Sequence, residues 1–448
     1  MSSGTNHNPP VAVAESWSAR FVPRLVSRFG VTAQRGVLAV VDQGVVSGTR
    51  FLTSIVIGRV CGPGELGDYA LGFTLYCLAI CAQEALITLP FTIFGSRLQG
   101  DQRRAFAGSS LVHFAIFALS AMLLFLIASR GLALGYGPQA LMPVVLMLSI
   151  TVPVAFFVEF ARRFALARLD VGTALTIDVA MSLFQLGGLA LLASLGLLSA
   201  VSAYSVVAVA ATVSGLGWLV HSRHEFAFRR SQFWTDAATN LRFGRWVLAS
   251  QLTLVARNSL LPWLLVALLD ATQTGLYVAC DIIVQLANPL LMAVSSVLIP
   301  SASRAFADGG PARVRQLVLR ATVVLSGATT LLCIILMIFG DRILSTLLGG
   351  AYGGLGVVVS LLAVMVVAEA LGFAASNGLW AIERPNLNFV ANLLSLVVTL
   401  GIAAMLTPHW GIVGAACGAL AGRVVASVVQ VIAFLRLSSD SEAVGVER

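Results

Sequence analysis

The stretch VLAVVDQGVVSGTRFLTSIVIGR (residues 37–59) decides the class of this protein. It is apolar and long enough to cross a bilayer, which takes roughly 20 residues of helix. It nevertheless carries Arg50 near its middle. A second stretch, WVLASQLTLVARNSLLPWLLVAL (residues 246–268), carries Arg257 at almost the same place. A cation at mid-membrane costs about 2.5–3.5 kcal/mol on insertion scales, so it is rarely left facing lipid. It calls for an acidic partner, a water-filled cavity or an anionic substrate. Two such arginines at equivalent places suggest a duplicated transporter with a cationic cavity.

Working outward, the whole chain reads as an all-α membrane protein. Of its 448 residues, 58% are hydrophobic and 11% charged, against about 25% charged in a soluble domain. Mean hydropathy is +0.92. Twelve apolar segments are long enough to span: 37–59, 67–95, 109–129, 139–160, 173–194, 199–220, 246–268, 275–299, 317–340, 355–381, 387–406 and 411–435. The first 36 residues show no apolar stretch ahead of a small-residue cleavage site. The first membrane helix is therefore expected to act as its own targeting signal.

All 28 basic residues are arginine, and most fall in short loops between apolar runs. That pattern is topology rather than a nucleic-acid footprint. Twenty-two arginines are assigned to the N-terminal tail, the even-numbered loops and the C-terminal tail. Only Arg59, Arg130 and Arg342 fall in odd-numbered loops, while Arg50, Arg257 and Arg423 lie inside helices. The positive-inside rule then predicts that both termini are cytoplasmic; the expected location is the cell's inner (plasma) membrane, crossed many times.

The expected organisation is a cytoplasmic tail (1–36), a six-helix bundle (37–220), a cytoplasmic connector (221–245), a second six-helix bundle (246–436) and a cytoplasmic tail (437–448). In the first tail, Trp17, Phe21, Leu25 and Phe29 alternate with Arg20, Arg24 and Arg28. This spacing suits a short interfacial helix on an anionic leaflet, against which stands a disordered basic tail. The outer loops are all short, which weighs against membrane enzymes that need a substantial outer domain. The six cysteines lie in or beside apolar runs and read as small packing residues.

The halves match at an offset of about 208 residues. Asp42-Gln43 aligns with Ser250-Gln251, Arg50 with Asn258 beside Arg257, and Gly67 and Tyr69 with Gly275 and Tyr277. Further on, Pro90 falls near Pro300, Ser96-Arg97 near Ser303-Arg304, Glu159 pairs with Glu369 and Asp178 with Asn392. Six helices per half start both halves on the same side, which makes this a parallel repeat. Substrate sites in such folds lie between the halves near the midplane.

The candidate substrate-binding residues are Arg50, Arg257, Asn258 and Arg423. Guanidinium forks suit a phosphate or diphosphate; the alternative is a structural ion pair. Arg423 follows a small-residue stripe of Gly414, Gly418 and Gly422, which reads as close helix packing. The candidate coupling or counter-ion acids are Asp42, Glu84, Asp178 and Glu369. A buried carboxylate can carry a proton or Na⁺ or neutralise a cavity arginine. Glu159 has Arg163 four residues on, a local salt bridge. Asp178 is expected to meet the arginines that follow the fourth helix. Pro90, Pro153, Pro262 and Pro300 would bend their helices. The sequence shows no phosphate-cradling glycine loop, metal cluster or nucleophile–base pair, so neither an enzyme nor a cofactor beyond H⁺ or Na⁺ coupling is expected.

The run GPGELGDYALG (62–72), following a helix that carries Asp42-Gln43, resembles the polysaccharide flippases of the Wzx type. Their superfamily also holds the multidrug and toxin extrusion transporters and the lipid II flippases. Leu89-Pro90 with Ser96-Arg97, Glu159-Phe160-Ala161-Arg162-Arg163 with Ala167, and Gly411-Ile412-Val413-Gly414-Ala415-Ala416 resemble further family elements. The resemblance covers residues 36–436 and implies two six-helix bundles in a V-shaped exporter fold. It also implies alternating access for a glycan linked to undecaprenyl diphosphate, with the bilayer, a glycan polymerase and glycosyltransferases as partners. Twelve helices depart from the fourteen usual in lipid II flippases. Two other readings stand beside this one: a cation-coupled multidrug exporter, for which an acidic cavity is expected, and a non-transporting scaffold for glycan assembly.

Overall fold

The computed structural model describes residues 31–445 apart from 96, 97, 169, 228, 229 and 383. The expected interfacial helix and the Ser96-Arg97 motif therefore lie outside the described residues. The N-terminal half contains α1 (Val31–Cys61), α2 (Pro63–Gln83), α3 (Leu89–Gly95), α4 (Gly100–Ala133), α5 (Met142–Ala167), α6 (Val171–Ser194) and α7 (Ala200–Ser222). The C-terminal half contains α8 (Arg230–Leu268), α9 (Ala271–Val284), α10 (Asn288–Leu348), α11 (Gly356–Ala381), α12 (Pro385–Trp410) and α13 (Ile412–Gly445). Twelve stretches among the described residues are long and apolar enough to cross a bilayer. They follow the order read from the sequence.

Local chemistry sets the boundaries. Gly62, at φ 85°, makes a one-residue corner between α1 and α2, and Pro63 opens α2 where no helical N–H is needed. Asp170 and Asp270 cap α6 and α9, each accepting the backbone N–H three residues on. Pro90 cannot donate, and its ring crowds the carbonyl four residues back. The chain answers with a wider π turn over Glu84–Thr88 that joins α2 to α3.

The stretch α10 is helical from end to end yet includes one corner. A straight helix of its 61 residues would be about 90 Å long, some three hydrocarbon thicknesses. Instead the chain reverses at Gly310, whose φ is 63°. Leu298 and Ala302 pack with Val314 and Val318 across that hairpin. In the stretch 221–245 expected as a connector, α7 ends at Ser222 and α8 begins at Arg230, ahead of the apolar stretch that starts at Gln251.

The halves meet where the repeat aligns two glycines. A Cβ on Gly67 would lie 1.9 Å from the Ala271 carbonyl oxygen, and one on Gly275 would lie 1.8 Å from that of Pro63. The contact is reciprocal, as a pseudo-two-fold axis requires. Nearby, the Arg59 guanidinium donates to the carbonyls of Thr346 (2.7 Å) and Leu347 (3.1 Å) in the last turn of α10. Tyr352 donates to the Gly58 carbonyl at 3.0 Å. These contacts close the arginine-poor face of the molecule. Helix α8 leans on the N-terminal half: Trp263 donates to Thr74 at 2.6 Å, and Phe243 meets Phe94 edge-on at 5.6 Å.

Candidate functional site

The largest polar cluster among the described residues lies inside the N-terminal half, and its hub is Arg162 of α5. The sequence reading places this residue in the loop after the fourth span. The helix runs on to Ala167 instead, which carries Arg162 and Arg163 into the bundle. A continuing apolar face made this possible. Phe156, Phe160 and Phe164 recur at helical spacing and are buried, Phe156 against Phe117 and the other two against Phe91 and Trp218.

Arg162 Nε donates to Asp178 of α6 at 2.6 Å, and its Nη2 donates to Asp42 of α1 at 2.9 Å. Its Nη1 lies 3.7 Å from Glu159. Arg163 bonds Glu159 at 2.8 Å through Nε and Glu84 at 2.5 Å through Nη2. The structure therefore brings Asp42 and Asp178 onto one guanidinium, and Glu84 and Glu159 onto the next. Asp178 meets Arg162, within the helix rather than in the loop that follows it. Glu84 serves as a counter-ion, and the arginine it serves is Arg163. Four carboxylates share two arginines here. One oxygen of Asp42 is buried without a hydrogen-bond partner.

Arg50 is exposed on the wall of an adjoining cavity of about 110 Å³. Its guanidinium lies 5.8 Å from the Phe73 ring centroid, a cation–π separation. Tyr69, Tyr76, Glu159, Arg162 and Asp178 line the same space. Tyr204 stacks on Tyr69 at 5.0 Å and donates to its carbonyl at 2.6 Å, which fixes the aromatic wall. A polar seam joins α1 to α6 beside it, through Thr49 to Ser182 at 2.8 Å and Gln185 to Thr53 at 2.9 Å. Among the described residues Arg50 has no carboxylate partner.

The C-terminal half repeats the plan with different chemistry. Arg257 of α8 donates to Asn392 of α12 at 2.6 Å. Asn392 is the residue that the repeat aligns with Asp178, so here an amide stands where the first half has a carboxylate. Asn258 is exposed and touches Arg257 at 3.4 Å. Arg423 Nη1 lies 3.0 Å from Glu369, an ion pair without hydrogen-bond geometry, which makes each the counter-ion of the other. The glycine stripe ahead of Arg423 packs α13 on α12: a Cβ on Gly418 would lie 2.7 Å from the Ala403 backbone nitrogen, and one on Gly422 would lie 1.9 Å from the Thr399 hydroxyl. The cavity that Arg50 lines includes neither Arg257 nor Arg423.

Arg162, Thr49, Ser182 and Gln185 are absent from the sequence-derived candidates. Reading the 156–164 aromatic face as continuing helix would have exposed Arg162. Nothing in the sequence signals the Thr49 and Gln185 contacts, which join residues more than a hundred positions apart.

The arrangement has solved counterparts. A multidrug resistance MATE family transporter of the MOP superfamily, in its inward-facing conformation, superposes with a TM-score of 0.76 at 17% identity, covering 88% of this chain and 95% of that one. The outward-facing conformation gives 0.62 at 15% identity, covering 91% and 95%. A MOP superfamily transporter from Pyrococcus furiosus, whose report describes a binding pocket of reverse polarity, gives 0.65 at 16% identity, covering 92% and 96%. No curated relative matches the sequence. The fold is thus that of the MOP-superfamily exporters: two six-helix bundles built from twelve membrane-crossing helices. Within that class the chain belongs to the polysaccharide biosynthesis protein family, whose model matches residues 34–306.

Proposed function

We propose that this protein moves a lipid-linked oligosaccharide, carried on a polyprenyl diphosphate such as undecaprenyl diphosphate, to the outer leaflet of the inner membrane. The arginine-rich face is cytoplasmic in this reading, and both termini lie on that side. The cargo feeds cell-surface or exopolysaccharide assembly, with glycosyltransferases supplying it and a polymerase receiving it. The observation that carries the reading is the ion-pair pattern. Arg162 and Arg163 are hydrogen-bonded to carboxylates and Arg423 is ion-paired with one, whereas among the described residues Arg50 and Arg257 have none. Of the four arginines at the centres of the bundles (Arg50, Arg162, Arg257 and Arg423), these two are open to an anionic head group, one in each half. A diphosphate can replace the missing counter-ions through forked hydrogen bonds.

The energy source in this reading is an ion gradient, coupled through the Asp42–Arg162–Asp178 cluster. One guanidinium cannot neutralise two carboxylates, so a proton or Na⁺ taken from one side completes the balance. That same surplus of acid favours the second reading, a cation-coupled multidrug exporter. Proteoliposomes with an imposed ion gradient separate the two. Under the first, a short-chain polyprenyl-diphosphate glycan is translocated, and Arg50→Ala or Arg257→Ala abolishes transport at normal protein level while Arg→Lys restores part of it. Translocation of cationic dyes with indifference to both arginines would establish the second. Normal glycan export in cells by the double alanine variant would leave the scaffold reading standing.

A further inference from the structure

A second concave site lies at the arginine-rich end of the C-terminal half, inside the α10 hairpin. It measures about 480 Å³ and is lined by Ser301 and Arg304 from one arm and Arg313, Gln316, Leu317 and Arg320 from the other. Clefts for small ligands run from roughly 300 Å³ upward. The lining follows helical spacing on both arms, so the three guanidinium groups belong to one surface rather than to scattered loops. No carboxylate lines the cavity among the described residues. None of the three arginines makes a hydrogen bond or ion pair with a described residue. Arg162, Arg163 and Arg423, by contrast, each have a carboxylate.

Depth identifies the ligand. The apolar stretch of the second arm, Ala312–Leu348, has 37 residues, about 55 Å of helix against about 30 Å of hydrocarbon, which leaves about 12 Å at each end, the part that holds Arg313 and Arg320. That is the level of lipid head groups rather than of free solvent. One turn deeper than Arg320, on the same stripe, stands Val324, which is 67% exposed, followed by Leu331 at 63% and Ile338 at 64%. A cationic pocket thus sits at the head of an exposed apolar stripe that runs down the helix. We infer that this is a binding site for the phosphate of an anionic inner-leaflet lipid, with its acyl chain along Val324 and Leu331. Basic pockets between membrane helices on the cytoplasmic side hold lipid phosphates in this manner. The site is independent of the transported cargo and of Arg50 and Arg257.

The test uses the full chain purified in detergent and native mass spectrometry with added phosphatidylglycerol, phosphatidylethanolamine or inorganic phosphate. Wild-type protein should retain phosphatidylglycerol in preference to phosphatidylethanolamine. The combined Arg304→Gln, Arg313→Gln and Arg320→Gln variant should lose about tenfold or more in affinity, given the usual strength of charge-assisted bonds. Arg342→Gln, on the opposite face, should bind as wild type does. If the combined variant fails to fold, Arg320→Gln alone should still weaken binding several-fold. Unchanged phosphatidylglycerol binding in a folded variant overturns the site. Inorganic phosphate that displaces phosphatidylglycerol at equal concentration overturns the lipid assignment.

Discussion

Replacing Arg162 by Gln should be the most destabilising single charge change in the N-terminal half. The Arg162 side chain is 17% exposed, and those of Asp42 and Asp178 are 7% exposed. Losing the guanidinium leaves two carboxylates facing one another inside the bundle, and one Asp42 oxygen already has no donor. Removing one partner of a buried pair costs about 3–5 kcal/mol. The second stranded carboxylate adds to this, while proton uptake returns about 1.4 kcal/mol for each pH unit by which the acid can shift. The expected loss is therefore about 3–5 kcal/mol. Arg162→Lys keeps the charge but cannot span α1 and α6, and should fall between the two. The triple variant Asp42→Asn, Arg162→Gln, Asp178→Asn removes all three charges together and should recover most of the loss, since whole buried ion groups are often replaceable at little cost. Denaturant unfolding in detergent, read by tryptophan fluorescence, measures each variant, and the cycle isolates the coupling. The reasoning fails if Arg162→Gln stays within about 0.5 kcal/mol of wild type, or if the triple variant is the less stable of the two.

Gly67→Ala or Gly275→Ala should force α2 and α9 apart, because the added carbon meets a backbone carbonyl at 1.9 or 1.8 Å. Overpacking of this kind costs about 1–3 kcal/mol, and cysteines placed at the arginine-poor face should become more reactive; unchanged reactivity would count against closure at this crossing. Glu84→Gln should cost about 1 kcal/mol or less, since Arg163 keeps Glu159 and is 34% exposed. Glu369→Gln should lower expression or stability more, because Arg423, 15% exposed, loses its carboxylate. An unchanged gradient dependence of transport in Glu369→Gln would remove Glu369 from coupling, and equal stability of the two Gln variants would contradict the burial argument. Cysteine labelling from outside the cell should reach position 272 and not position 232; the reverse result would invert the orientation.

The sequence by itself determined the class. Twelve apolar runs and the sided distribution of arginines are one-dimensional signals, because the bilayer imposes the same length and charge rule on every crossing. The repeat was also legible, since Gly67 and Gly275 sit at equal places in their halves and then meet at one crossing. The glycine stripe before Arg423 was legible for the same reason: a period of four on one helix fixes its packing face. The local Glu159–Arg163 bridge needed only helical spacing.

Only the tertiary structure decided which charges are spent and which are free. Arg50, Arg162, Arg257 and Arg423 look alike as letters, and two of them proved to be held by carboxylates on other helices. Helix α5 continues past its expected end because Phe160 and Phe164 bury against α3 and α7, a tertiary gain that hydropathy in a window cannot see. Arg162 enters the bundle as a consequence. Its partners lie 120 and 16 residues away, and whether a guanidinium reaches a carboxylate depends on helix rotation to within an ångström. Periodicity fixes which face a residue occupies. It does not fix what stands opposite, and in a low-dielectric interior that opposite group determines whether an arginine braces the fold or awaits a ligand.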